Sequence, residues 1–197
     1  MVVMIEKNCD PIEIWTQNIL RDLGENLNRQ GLKETPKRVA KALRFFCSGY
    51  KKNPKDIIKT FPAKNIDQLI IIKAIDFYSK CEHHLETFYG QVYIGYLPKG
   101  RVMGVSKFAR LVEIYARRLQ IQERMGQQIA KAIMKYLKPL GVAVVVRGIH
   151  LCMRARGVEK QNTEIITSVM LGKFREEKEA ALRNEFLTLI SLNGKTT

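Results

Sequence analysis

Two short segments of the sequence, 81–84 and 150–152, are rich in side chains that can bind a metal or transfer a proton. These side chains are Cys81, Glu82, His83, His84, His150 and Cys152. The two segments contain all three histidines of the 197-residue chain and two of its four cysteines. Thiol and imidazole groups concentrated in this way indicate a metal centre with acid–base groups beside it.

Zinc is the metal that these side chains favour, because it prefers thiolate and imidazole ligands in a tetrahedral arrangement. The spacing of Cys81 and His84 lets one turn of backbone present both ligands to one ion, and Cys152 can supply a third. The sequence has no second Cys-x-x-Cys or His-x-x-x-His pair to complete a closed site. Three protein ligands with one open position are typical of catalytic zinc, which leaves His83 and His150 to move protons.

Two other interpretations use the same residues: a disulfide between Cys81 and Cys152, or an ordinary polar turn. The four scattered cysteines do not form a disulfide framework, and the N-terminal segment lacks the basic and long apolar regions of a signal peptide. We therefore predict a cytoplasmic protein whose thiols stay reduced. The sequence contains no run of 18 apolar residues, so we expect no membrane partner.

The net charge of +15 indicates an affinity for anions, which include nucleic acids and polyanionic small molecules. The basic residues are spread along the whole chain, with no Arg-rich tail and no basic run interleaved with aromatic residues. This distribution favours a small anionic ligand, and we expect no nucleic-acid partner.

The elements that must position these residues divide the chain into a helical N-terminal region, 1–65, and a catalytic domain, 66–197. Asp10-Pro11 and Thr35-Pro36 are helix start signals in the first region. In the second, strands are predicted over 69–77, 91–96, 142–146 and 165–171. Helices are predicted after Ser106, around 125–137 and from Glu176 onward.

The helix that follows Ser106 carries basic residues near its start. Lys107 and Arg110 lie three residues apart, so they share one side of the helix, next to free backbone N–H groups. This arrangement fits a phosphate site, although a solvated basic face fits it equally well. Similar alternatives hold for Glu123, which is also an ordinary first-turn acid, and for Arg38, which is also an ordinary exposed helix charge.

The strand predicted over 142–146 leads into the second chemical segment, 150–152. If its period of two continues, Gly148, His150 and Cys152 lie on one face, and Arg154 and Arg156 follow on the same side. His150 and Cys152 would then both face the metal.

Several motifs together resemble those of GTP cyclohydrolase I in order and spacing. They are CEHHL at 81–85, GVSKFAR at 104–110, QIQER at 120–124 and HLCMRARGV at 150–158, supported by TPKR at 35–38 and RNEFL at 183–187. The resemblance covers about residues 10 to 190. Thr87 stands where many members have Pro and Tyr93 where many have His; both lie outside the metal motif.

The resemblance implies an α+β tunnelling fold (T-fold), in which an antiparallel sheet carries helices on one face after a helical N-terminal region. It implies a toroidal homodecamer of two pentamers with active sites between subunits. It also implies conversion of GTP and water to 7,8-dihydroneopterin triphosphate and formate, the first step toward folates or biopterin.

The family's residue roles fall on side chains that the sequence had already singled out. The resemblance implies that Cys81, His84 and Cys152 bind zinc, that hydroxide produced there attacks guanine C8, and that His83 and His150 are the acid–base groups. The remaining implied roles concern the substrate and its surroundings. Glu123 with Gln122 reads the guanine edge; Ser106, Lys107, Arg110 and Arg156 bind the triphosphate, with Arg38 reaching it from a neighbouring subunit; and Glu82 orients Arg156 or a metal ligand.

Two rival functions make different demands on the sequence. A pterin synthase of the same fold would bind zinc through three histidines, which no single motif here supplies. A zinc-stabilised nucleic-acid-binding module would explain the positive charge, but it would not need His83 and His150 beside an open metal position.

Overall fold

The computed structural model describes residues 10–192, which fall into two compact units. The units divide between Cys47 and Ser48. The predicted division into domains 1–65 and 66–197 stays a prediction. Each unit is described by itself below.

The first unit contains two helices, α1 (Pro11–Asp22) and α2 (Thr35–Phe46). Asp10 caps α1 as predicted, because its side chain accepts a hydrogen bond from the backbone N–H of Ile12 at 3.0 Å. The same carboxylate accepts two hydrogen bonds from Arg44 of α2, which lower the pKa of Asp10. The cap therefore also ties the two helices together.

The second unit contains a five-stranded sheet, a small two-stranded sheet and the remaining helices. Its elements in chain order are α3 (Pro54–Ile57), β1 (Thr60–Pro62), β2 (Ile70–Cys81), β3 (Thr87–Leu97), β4 (Arg101–Met103), α4 (Val105–Ala116), β5 (Leu119–Gln120), α5 (Gln122–Tyr136), β6 (Gly141–His150), α6 (Leu151–Arg154), β7 (Ile165–Gly172) and α7 (Ala180–Ser191). Short 3-10 turns precede α3 and α7.

The five-stranded sheet has the order β5-β2-β3-β6-β7. Its long strands are antiparallel, and only the two-residue β5 runs parallel to its neighbour β2. Strands β1 and β4 pair with each other in a separate sheet. The antiparallel order brings the end of β2, the start of β3 and the end of β6 to the same end of the sheet. Both chemical segments lie at this end.

Helices α4 and α5 cover one face of the sheet with a fully buried core. In this core Phe108 and Leu111 of α4 and Ile129 of α5 pack against strand residues such as Val92 and Val144. The opposite face carries a smaller core where α7 and the turn before it pack against β3 and β6. This arrangement confirms the predicted α+β class and T-fold architecture, and it adds a helix on the second face.

The path of the chain after β6 corrects one prediction. The strand ends at His150, and Cys152 lies in the single helical turn α6. The pairing partners run out there, because β3 reaches His150 through Phe88 and β7 reaches only Gly148. The predicted alternation through Arg154 and Arg156 therefore does not occur.

The C-terminal helix also begins later than predicted. A turn spans Glu177–Glu179, and α7 starts at Ala180 rather than at Glu176. Within residues 10–192, no helix is long and apolar enough to span a membrane.

Candidate active site

The connection between β2 and β3 presents the first chemical segment. Its ends are joined by two backbone hydrogen bonds, in which Cys81 donates to Glu86 and Leu85 donates to Cys81, each at 2.8 Å. Leu85 adopts a positive φ of 56°, which turns the chain back into β3. Cys81 is buried at the end of the strand while His84 is exposed on the turn. One tight turn therefore brings both side chains to one side.

The structure brings the three predicted metal ligands together. The ligand atoms of Cys81, His84 and Cys152 all lie within 4.8 Å of one another, and Sγ of Cys81 lies 3.9 Å from Nδ1 of His84. Bond lengths of about 2.0–2.3 Å place the donor atoms of a tetrahedral zinc site roughly 3.5–3.8 Å apart. The group therefore fits a metal ion of this kind in donor chemistry, and the Cys81–His84 pair fits it in spacing as well.

Cys81 and Cys152 are both free thiols, although the sequence also allowed a disulfide between them. Burial raises the pKa of the Cys152 thiol, and the adjacent Cys81 raises it further. A bound cation would reverse this effect because a coordinating thiol is deprotonated. A cation bound between the two sulfur atoms would therefore be stabilised electrostatically by the thiolates.

The rings of the neighbouring histidines of the turn are nearly perpendicular to each other. Their rings are 6.1 Å apart at an interplanar angle of 82°. His83 has a side chain 64% exposed, with Nε2 4.0 Å from Oε1 of Glu82. One histidine can therefore face an ion while the other faces a substrate.

Glu82 forms its ion pair with Arg124, a partner that the sequence did not suggest. Arg124 also donates to Oε1 of Gln120 and to the carbonyl oxygen of Leu119, both at 3.0 Å. The hydrogen bond from Arg124 lowers the pKa of Glu82. Arg124 thus connects the metal turn to β5 and α5, in the place that the sequence analysis gave to Arg156.

His150 ends β6 and lies on a flat aromatic surface. Its ring stacks on Phe88 with centroids 4.5 Å apart and planes 10° from parallel. Nε2 lies 3.1 Å from Oε1 of Gln122. Burial lowers the pKa of His150, and the nearby carboxylate of Glu123 opposes that shift. The neutral imidazole is therefore the main form at neutral pH.

Gln122 and Glu123 begin α5 but differ in environment. Gln122 is buried, and its amide nitrogen donates to strand carbonyl groups of Val146 and Ile165. Glu123 is exposed. Arg156, also exposed, acts electrostatically on Cys152 and lowers its thiol pKa slightly against the larger effect of burial. The charge of Glu123 therefore acts on His150, and that of Arg156 acts on Cys152.

Three of the predicted phosphate-binding residues, Ser106, Lys107 and Arg110, lie in the first half of α4. Gly104 precedes the helix, so Ser106 belongs to its first turn rather than standing before it. Ser106 and Arg110 are exposed and Lys107 is half-buried. Arg38 is exposed on α2 of the first unit. Contact of these residues with a triphosphate stays a prediction.

The two departures from the family pattern lie outside the metal motif. Thr87 begins β3 and pairs with Lys80 of β2. Tyr93 packs in the smaller core on the α7 side of the sheet, and its hydroxyl donates to Oε1 of Gln91 at 2.7 Å.

Sequence reasoning assigned no role to three residues that shape this site: Arg124, Phe88 and Gly148. Arg124 stands in the QIQER motif, four residues after the glutamine that accepts its hydrogen bond. Phe88 reaches His150 only because β3 pairs with β6. Gly148 matters only because the side chain of Gln122 packs closely against it. The motif was a usable signal for Arg124, whereas the other two needed the register of the sheet.

Comparison with known proteins identifies the family. The model of the GTP cyclohydrolase I family matches residues 12–191. GTP cyclohydrolase 1 2 of Pseudomonas aeruginosa is 50% identical over 181 residues, which cover 91% of this chain and 98% of that protein. GTP cyclohydrolase 1 of Homo sapiens is 52% identical over 186 residues, which cover 94% of this chain and 74% of the human protein. These matches extend over both units, so the chain is an enzyme of the GTP cyclohydrolase I family.

Proposed function

We propose that this enzyme converts GTP and water to 7,8-dihydroneopterin triphosphate and formate with the help of one zinc ion per chain. The observation that carries the proposal is the group of Cys81, His84 and Cys152, with His150 held beside it. Three ligands of this type leave a fourth position open, as in hydrolytic zinc enzymes. The product stands at the first step toward folates or biopterin.

Cys81, His84 and Cys152 would hold the zinc ion. When bound, zinc supplies Lewis acidity that makes a water molecule reactive near neutral pH. The protein's part is to keep the Cys81 thiol and the His84 imidazole on one side of the turn, which the backbone hydrogen bonds around Leu85 do, while α6 supplies the thiol of Cys152.

His83 and His150 would move the protons that opening of the guanine imidazole ring requires. His83 is exposed on the turn, so it can meet the ring from the solvent side and donate a proton. Burial lowers the pKa of His150, which favours the neutral ring that can accept a proton and return it in a later step. Positioned proton transfer of this kind contributes about 10²–10⁴ in rate.

Recognition of GTP would use both ends of the nucleotide. The carboxylate of Glu123 can accept from N1–H and the exocyclic amine of guanine together, with Gln122 beside it. The triphosphate would meet the α4 start and nearby basic residues. These residues are Ser106, Lys107, Arg110, Arg156 and Arg38. The net charge of +15 favours the approach of so anionic a substrate.

We further propose a homodecamer of two pentamers with sites between subunits, working in the cytoplasm, where thiol ligands stay reduced. Trp15, Ile19 and Leu23 follow one another at intervals of four residues along α1 and its C-cap and are 64%, 59% and 71% exposed, and this apolar stripe supports a surface that a partner covers. Light scattering coupled to size-exclusion chromatography measures the assembly directly. A monomeric mass at assay concentration contradicts it.

One assay tests the activity. The zinc-loaded protein is incubated with GTP, the product is oxidised to its fluorescent pterin, and formate is measured in parallel. We expect both products in equal amounts, with turnover lost on chelation and restored by zinc. A zinc-loaded, folded protein that releases no formate from GTP overturns the proposal.

A further inference from the structure

The side chain of Gln122 has one possible orientation. It is 1% exposed, and Nε2 lies 2.9 Å from the carbonyl oxygen of Ile165 and 3.1 Å from that of Val146. A third, longer contact of 3.3 Å reaches Oγ1 of Thr167. Carbonyl oxygens only accept hydrogen bonds, so the amide nitrogen must lie on this side. The amide oxygen therefore points toward His150.

This orientation determines which nitrogen of His150 carries the proton. Oε1 of Gln122 lies 3.1 Å from Nε2 of His150, and an amide oxygen only accepts. Nε2 must therefore be the protonated nitrogen, and the lone pair of the neutral ring lies on Nδ1. Phe88 fixes the plane of the ring by stacking, while Gln122 fixes its rotation within that plane.

A residue without a side chain makes room for this contact. Gly148 lies on β6, two residues before His150. A Cβ at position 148 would lie 2.1 Å from Oε1 of Gln122 and 3.6 Å from Nε2 of His150. The carboxamide is held on its other side by two strand carbonyl groups, so a shift away from a new Cβ would disturb its hydrogen bonds.

We propose that Gln122 is a positioning residue for the reaction: it selects the Nε2–H tautomer of His150 and leaves Nδ1 as the atom that exchanges protons. The effect on rate rests on the proposed function, whereas the tautomer is a property of the folded chain alone. Direct reading of guanine by the Gln122 side chain would break buried hydrogen bonds, which is costly. Its influence on the substrate therefore passes through His150.

Kinetics on matched variants test the catalytic part. Gln122→Met keeps a side chain of similar length but removes the contact, and Gly148→Ala displaces the carboxamide without changing Gln122. For both we expect kcat to fall about 10- to 100-fold, with KM and zinc content near wild type, because a wrongly protonated histidine cannot perform its proton transfer.

Thr167→Val is the control, because it removes only the longest contact of the amide. It should leave kcat within about twofold of wild type. Unchanged kcat in folded Gln122→Met, or a raised KM with kcat intact, overturns the positioning role. The second of these results assigns Gln122 to substrate contact.

A spectrum tests the tautomer without any assay. The zinc-loaded enzyme labelled with ¹⁵N-histidine has three imidazoles, and the signals of His150 are identified by their loss in His150→Asn. Solid-state ¹⁵N NMR should show His150 protonated at Nε2 in the wild type and a mixture of tautomers in Gly148→Ala. A wild-type ring protonated at Nδ1 overturns the inference, even where Gln122→Met does not fold. Absent GTP turnover would contradict the proposed function and leave this reading of the spectrum unaffected.

Discussion

The two ends of the candidate site are built in different ways. At the metal end, Cys81, Phe88 and Gln122 are buried, and His150 is held by stacking and a hydrogen bond within its own subunit. At the nucleotide end, Ser106, Arg110, Glu123 and Arg156 are exposed at the starts of helices or beyond a helical turn. The first end is fixed by packing; the second offers charges to solvent until a substrate arrives.

This difference predicts two kinds of response to substitution. A change at the buried end disturbs several neighbours together, because each side chain there holds another in place. A change at the exposed end removes one charge whose interaction is screened by water and salt. Losses should therefore be nearly complete at the first end and graded at the second.

The largest effect is expected for Cys152→Ser. A serine hydroxyl is a poor replacement for a soft thiolate, so the variant should lose zinc and GTP turnover together while the fold persists. Metal analysis, circular dichroism and the pterin assay measure the three properties. Cys47→Ser is the matched control, because Cys47 lies in the first unit. This variant should keep both zinc and activity. Full zinc occupancy in Cys152→Ser would remove Cys152 from the ligands.

The adjacent histidines of the metal turn are both exposed, but we expect them to play different parts. His84→Ala should lose the metal, since its Nδ1 lies beside the Cys81 thiol. His83→Ala should keep zinc but lose turnover by a factor of the order of 10² or more, because it removes a proton donor and no ligand. Measurements of zinc content and steady-state rates on the two variants decide which histidine is the ligand and which is the proton donor. Metal-free His83→Ala, or zinc-replete His84→Ala, would exchange the two assignments.

His150→Ala belongs with His83→Ala in this comparison. The side chain supplies no metal ligand, so the variant should be zinc-replete and slow. Because its proposed proton transfers follow the first attack, an intermediate with a hydrated or opened imidazole ring should accumulate in single-turnover experiments. Product forming at the wild-type rate would exclude His150 from the acid–base groups.

Sequence reasoning succeeded where the information is local. The Cys81–His84 spacing predicts a shared ligand direction because a single turn determines it, and the structure places both atoms accordingly. The strands and long helices follow from their apolar periodicity, although α7 starts later than predicted. Cys152 joins the group of Cys81 and His84 as predicted, but it does so from a helical turn rather than along the strand.

The contacts that it missed are non-local. Arg124 pairs with Glu82 only because β5 runs parallel to the end of β2 and brings α5 beside the metal turn. The role of Gln122 depends on the carbonyl groups of β6 and β7, whose register no sequence spacing shows. The sequence pattern indicates which residues carry out the chemistry, whereas tertiary packing decides which other residues hold those side chains in position.

At the exposed end, Glu123 provides the stronger of the expected effects. A carboxylate that accepts two hydrogen bonds from guanine cannot do so from adenine, so Glu123→Ala should lower the preference for GTP over ATP by about 10- to 100-fold. Glu123→Gln keeps one carbonyl acceptor and should fall between this variant and wild type. Competition of ATP against GTP in the pterin assay gives the ratio. Discrimination that is unchanged in Glu123→Ala removes Glu123 from guanine recognition.

The smallest effects are expected for Lys107→Ala and Arg156→Ala. Each removes one charge-assisted contact to the triphosphate, so KM for GTP should rise about five- to tenfold while kcat changes little. The dependence of KM on salt should weaken at the same time, because fewer charges attract the substrate. Lys131→Ala is the control: this lysine is exposed on α5, nine residues beyond Gln122 and therefore about 13 Å along the helix from the site. If kcat in Lys107→Ala or Arg156→Ala fell as far as in His83→Ala, the two ends of the site would act as one cooperative unit. The contrast between them would then be lost.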